Sequence, residues 1–158
     1  MTRKLLMISV ALVAVLAAAG IFLRNGAPSS PAFIDPSDAS LVERGKGIYV
    51  SHCAACHGAK LEGQPEWRLR LANGRLPAPP HDASGHTWHH PDKVLFDIVK
   101  NGLVPGKTAP DGYQSDMPAY ASQLSDEQIT AVLAYIKSHW PQELLELQRK
   151  VTLEPGGG

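Results

Sequence analysis

Cys53-Ala54-Ala55-Cys56-His57 is the stretch of this sequence in which residue type and spacing together specify chemistry. Two thiols three positions apart lie on one helical turn. Each can add across one of the two vinyl groups of a haem, and the adjoining imidazole of His57 then faces the iron as the proximal ligand. Such a thioether tether does not dissociate, which suits a protein working outside the cytoplasm. The rival readings are weaker. A redox dithiol would sit near a βαβ pattern, and strand signals are scarce. A structural zinc site would need two more ligands, and these are the only two cysteines, although histidines are present. A disulfide across two residues would be strained and would leave His57 without a role.

A haem iron needs a second axial ligand or an open face, and that choice sets its potential and its chemistry. Met1 and Met7 lie in the N-terminal apolar region, so Met117 is the methionine available. It stands in Ser115-Asp116-Met117-Pro118-Ala119-Tyr120. Pro118 lacks a backbone N–H and holds Met117 in extended conformations, so this stretch is expected to run along a haem face as a loop. The alternative, a methionine filling a gap in the core, sits poorly with these polar, turn-rich surroundings.

Four histidines crowd into ten residues between His57 and Met117: His81, His86, His89 and His90, with Trp88 among them. They read as a haem-edge loop, with Trp88 beside the haem and a histidine bonded to a propionate. A copper or zinc site and a histidine distal ligand are the alternatives. Trp67, Arg68 and Arg70 are candidates for the haem surroundings, since arginine pairs bidentately with carboxylates. A solvated surface is the other reading for the arginines.

The elements that must position these groups read as short helices between long ordered loops, with 14 glycines and 13 prolines in the chain. Asp38 can cap a helix running to about His52, with Leu41, Val42, Gly45, Ile48 and Tyr49 on one stripe. Pro91 suits a first helical position and Gly102 a stop, with Val94, Leu95, Ile98 and Val99 as the buried face. Ser125-Asp126-Glu127-Gln128 reads as a capping box opening the apolar stretch Ile129–Trp140. A last short helix is expected over Gln142–Val151, followed by a disordered tail to Gly158.

The N-terminus reads as an address. Arg3 and Lys4 precede Leu5–Leu23, 19 residues without a charge, close to the roughly 20 that cross a bilayer as a helix. Residues 1–24 are therefore expected to be an uncleaved anchor with its N-terminus in the cytoplasm. The alternative is a signal peptide cut near Ala17-Ala18-Ala19, which would release the domain to the periplasm. Residues 25–36 read as a Pro/Ser linker, 37–140 as the haem domain, and 141–158 as the short helix and tail. Past Arg24 the chain holds 12 basic against 15 acidic residues. Nucleic-acid binding is not expected of it, because phosphate contacts need a basic face.

With these residues in view, the sequence from about Ser37 to Trp140 resembles the class I c-type cytochromes. The likeness rests on Gly45-x-x-x-Tyr49-x-x-x-Cys53-Ala-Ala-Cys56-His57, on Met117-Pro118-Ala119-Tyr120, and on Leu133-Ala134-Tyr135-Ile136-Lys137. It implies an all-α fold of four or five short helices around one covalently bound haem c. It also implies that Gly45 and Tyr49 pack on Val132 and Tyr135 where the first and last helices cross. A proline carbonyl from Pro77, Pro79 or Pro80 would accept the ring proton of His57.

The expected function is one-electron transfer in a bacterial respiratory or other periplasmic chain, with His57 and Met117 on the iron throughout. Such a chain is not an enzyme by itself, and its partners would be membrane or periplasmic redox proteins. Three rivals remain: a gas-binding or catalytic haem, a copper-handling cytochrome using the histidine-rich loop, and a subunit of a larger oxidoreductase docking through Leu144–Leu147.

Overall fold

The computed structural model describes residues 33–154, so the expected anchor, Met1 and Met7, most of the linker and the tail beyond Glu154 lie outside it. Helix α1 (Ala39–His52) begins where the Asp38 carboxylate accepts the N–H of Leu41 at 3.0 Å. The short α2 (Ala54–His57) follows directly, its start tied back by the Cys53 N–H donating to the Tyr49 carbonyl at 2.9 Å. A long loop leads to a 3-10 turn at Thr87–His89 and then to α3 (Asp92–Asn101). Helix α4 (Asp126–Lys137) opens on the expected capping box: Gln128 N–H donates to the Ser125 hydroxyl while its side-chain oxygen accepts from Ser125 N–H. Helix α5 (Gln142–Leu153) closes the described chain. Among the described residues there is no strand, only an isolated bridge between Pro105 and Ala109. The fold is all-α.

Three expectations shift. Pro91 caps α3 rather than occupying its first turn. The buried face of α3 is Asp92, Leu95 and Phe96, while Val94, Ile98 and Val99 are half-buried. Asp92 joins that face because its carboxylate is paired with Lys137 inside the fold. Helix α4 ends at Lys137, three residues early, because Pro141 cannot continue it and Trp140 folds back to donate its indole N–H to the His81 carbonyl at 2.8 Å.

Helices α1 and α4 cross at Gly45. A Cβ there would lie 1.9 Å from the Ala131 carbonyl oxygen and 2.9 Å from the Tyr135 Cβ, so only glycine permits this approach. The residue under Gly45 is thus Ala131, one position from the expected Val132. Tyr49 and Tyr135 fill the space beside the crossing with ring centroids 5.3 Å apart.

A buried ion pair ties the ends of the described residues to this pair of helices. The Lys137 ammonium is 2.8 Å from both oxygens of Asp92, and both side chains are shut off from solvent. Asp92 also accepts from the Ile34 N–H at 2.6 Å and from Gln148 Nε2 at 2.7 Å, and its own N–H donates to the Thr152 hydroxyl. Burial lowers the pKa of Lys137, and the neighbouring Asp92 opposes that shift. Ile34 is therefore part of the core although it falls in the stretch read as linker. Leu144 and Leu145 turn inward against the core, leaving Leu147 exposed on the outer side of α5.

Two substitutions test this packing. Gly45→Ala is expected to lower stability by about 3 kcal/mol, the upper part of the usual range for overpacking. Gly47→Ala on the same helix, where a Cβ meets open space, is expected to raise it by about 0.5–1 kcal/mol. Denaturant unfolding of the two variants measures both. Lys137→Met should cost about 3–5 kcal/mol in the same assay, because Asp92 is left buried without its counter-ion.

Candidate functional site

The site is built where α1 runs into α2. Tyr49, fully buried on α1, donates its hydroxyl to the Gly58 carbonyl at 2.9 Å and so holds the end of the cysteine motif against the helix pair. Cys56 is exposed and Cys53 half-buried. Burial, with Cys56 beside it, pushes the Cys53 thiol up to about 11. A redox dithiol needs the opposite, a thiol whose pKa is lowered so that the thiolate attacks. The shift at Cys53 runs the other way, which disfavours the redox-dithiol reading.

The His57 ring is buried, and its Nδ1 lies 2.9 Å from the Pro79 carbonyl oxygen. Of the three prolines considered, the structure brings Pro79 to this histidine. With Nδ1–H donating to that carbonyl, Nε2 carries the lone pair that a metal would take. Burial lowers the pKa of His57, with the Pro79 hydrogen bond acting the other way, so the ring is held neutral and fit to ligate. Gly63 makes the bond possible. It has φ +69°, and a Cβ on it would fall 2.4 Å from the Pro80 nitrogen, so the Pro79-Pro80 backbone lies directly on it. Gly63 N–H in turn donates to the His57 carbonyl at 2.8 Å.

Met117 is half-buried against the core, in a segment fixed on both sides. Asp116 pairs with Arg75 on the loop before it. The Tyr120 hydroxyl donates to the His52 carbonyl at 2.7 Å, next to Cys53, and the N–H groups of Tyr120 and Ala121 bond to carbonyls at the end of α3. The loop bearing Met117 is thereby brought to the cysteine motif across 68 residues of sequence.

The remaining candidates divide. Trp88 is half-buried against the core and stacks on His89 at 3.7 Å, and its Nε1 is buried with no protein acceptor. A haem propionate would satisfy it, so this orphaned donor fits the expected cofactor. Trp67 stacks on His86 at 5.4 Å, and the Arg68 guanidinium lies 4.1 Å over the Trp67 ring, so these two form a column with the histidine-rich loop. Arg70 donates to the Gly74 carbonyl within its own loop.

The four histidines do not converge. His81 bonds to Thr87, His86 stacks on Trp67 and meets His90 edge-on, and His89 stacks on Trp88. Among the described residues, no group of three or more histidines, cysteines and carboxylates is arranged to hold a metal ion.

Sequence reasoning missed Leu61, and it named His81 only as part of the histidine-rich loop. Leu61 is buried in the left-handed region, φ +66°, with its carbonyl accepting the N–H groups of both His81 and Asp82. A leucine carries no signal for that conformation. His81 itself stacks on His57 with centroids 4.0 Å apart. Its closeness to the Pro79 carbonyl was the available hint.

Comparison with known proteins agrees with this geometry. The Cytochrome c family model matches residues 42–140. The Cbb3-type cytochrome c oxidase subunit CcoP of Azospirillum brasilense is 31% identical over 101 residues, which is 63% of this chain and 29% of that protein. The gluconate 2-dehydrogenase cytochrome c subunit of Pantoea cypripedii is 30% identical over 99 residues, 62% of this chain and 20% of that protein. The Cbb3-type cytochrome c oxidase subunit FixPc of Rhizobium leguminosarum bv. viciae is 29% identical over 103 residues, 65% of this chain and 29% of that protein. The match spans less than a third of the length of each of these relatives. No solved structure matches the chain significantly. Helical fold, haem-attachment motif and family match agree, and the chain belongs to the cytochrome c family, an electron-transfer haem protein carrying covalently bound haem c.

Proposed function

We propose that this chain is a one-electron carrier of a bacterial membrane redox chain. Cys53 and Cys56 would hold the haem by thioether bonds, and His57 and Met117 would be the protein's ligands to its iron. Bound haem would supply an iron that alternates between ferric and ferrous states. The chain supplies the rest. Pro79 fixes the His57 ring, Trp88 Nε1 would donate to a propionate, and the segment pinned at Asp116 and Tyr120 carries the Met117 sulfur. With two protein ligands the iron would have no place for substrate, and the chain would act as a carrier rather than an enzyme. Thioether sulfur favours the ferrous state and raises the potential.

The observation that carries this reading is the His57–Pro79 hydrogen bond at 2.9 Å, which leaves Nε2 as the ligating atom one residue past Cys56. The relatives named as oxidase and dehydrogenase subunits support a place beside a larger membrane oxidoreductase. The apolar run Leu5–Leu23 behind Arg3 and Lys4 supports a single-pass anchor in the inner membrane with the haem domain on the periplasmic side. Among the described residues no helix is long and apolar enough to cross a membrane, and the proposed anchor lies outside them.

The absorption spectrum of the oxidised full-length protein tests the ligands. Wild type should show the weak long-wavelength band of methionine sulfur on ferric haem iron, and Met117→Ala should lose it. Reduced wild type should fail to bind carbon monoxide while Met117→Ala binds it. Carbon monoxide binding by wild type would overturn the carrier reading in favour of a gas-binding haem. The attachment is tested separately by extraction with acidified organic solvent. Haem should stay on wild type and on Cys53→Ala, and be released from the Cys53→Ala, Cys56→Ala double variant.

A further inference from the structure

We propose that His81 is a positioning residue for electron transfer: its ring, stacked face to face on His57, fixes the rotation of the proximal imidazole about its bond to the haem iron. The inference rests on His57 being the axial ligand. The two rings lie 4.0 Å apart at their centroids and 21° from parallel. The hydrogen bond to Pro79 holds His57 at one atom, Nδ1, and a single bond there leaves the ring plane able to tilt. A second plane pressed on its face removes that freedom.

His81 is built to press. Its backbone N–H donates to Leu61 at 2.8 Å, its carbonyl accepts the Trp140 indole at 2.8 Å, and its Nδ1 shares a hydrogen bond of 2.9 Å with the Thr87 hydroxyl. Thr87 is itself buried in the 3-10 turn. Backbone and ring are thus each anchored to a different element, more than a loop residue needs if it only fills space. The orientation of an axial imidazole decides which iron orbital it overlaps, and so the ligand field that the transferred electron meets.

The test is made on the haem-loaded full-length protein, reading the haem-methyl resonances of the ferric form by NMR and the midpoint potential. His81→Phe keeps an aromatic plane, and His81→Leu keeps bulk without one. The phenylalanine variant is expected to preserve the order and spread of the methyl signals and the potential. The leucine variant is expected to reorder the signals and shift the potential. A leucine variant indistinguishable from wild type would overturn the proposal, and so would a phenylalanine variant disturbed as much as leucine. If the leucine variant loses its haem, Thr87→Val takes its place. That change frees the ring of His81 alone and should disturb the same signals to a smaller degree, and an unchanged pattern overturns the proposal. His57→Ala is the control for the underlying reading. Should it retain the low-spin spectrum of wild type, His57 is not the ligand, and the ligand assignment fails rather than the stacking.

Discussion

The contact between Gly45 and the Ala131 carbonyl is the constraint from which the other placements follow. It brings α1 and α4 together backbone to backbone, at a distance no side chain would allow. Helix α1 ends at the cysteine motif, and Tyr49, one turn beyond Gly45, clamps that motif at Gly58. Helix α4 ends in Lys137, which captures Asp92 and with it α3. The far end of α3 takes hydrogen bonds from Tyr120 and Ala121, just past Met117. The helix crossing therefore positions both His57 and Met117, the first through α1 and the second through α4 and α3. Neither residue needs regular structure of its own.

Between the motif and α3 the chain runs through some thirty residues held by point contacts. The His57 carbonyl takes the Gly63 N–H, the Leu61 carbonyl takes two N–H groups from His81 and Asp82, and Pro79-Pro80 lies on Gly63. Such a loop would be costly in conformational entropy if it were free. Here its backbone groups close on the motif itself, so the loop that orients His57 is oriented by the residues next to His57. The arrangement is reciprocal, and it accounts for Leu61 and Gly63 standing in the left-handed region where helix or strand propensity predicts nothing.

Much of this was legible in the sequence, for identifiable reasons. Caps are local, so Asp38, Ser125 and Gln128 marked helix starts that the structure repeats. The crossing at Gly45 was implied by the resemblance to the class I c-type cytochromes, and the contact is displaced by one residue, to Ala131. What was not legible is non-local. The burial of Asp92 on α3 depends on its meeting Lys137 across 45 residues, and an acidic residue in a first turn ordinarily reads as a favourable partner of the helix dipole. The histidine-rich loop read as a haem-edge loop, with a metal site as the alternative that imidazoles close in sequence invite. In space His81, His86 and His89 each stack on a different ring, and His90 meets only His86 edge-on.

Helix α5 shows that the boundary of the family match at residue 140 is not a physical boundary of the domain. Gln148 is fully buried, and its amide nitrogen donates to Asp92, to the His90 carbonyl and to Thr152. Asp92 and His90 both lie inside the matched span. Leu144 and Leu145 cover core residues of the same span. A chain ending at Trp140 would expose that apolar surface and leave the Asp92–Lys137 pair open to water on one side, weakening the contact that holds α3 to α4. Because the end of α3 accepts hydrogen bonds from Tyr120 and Ala121, the effect of such a loss reaches the segment just past Met117. The last helix thus acts on that segment through Asp92 and α3.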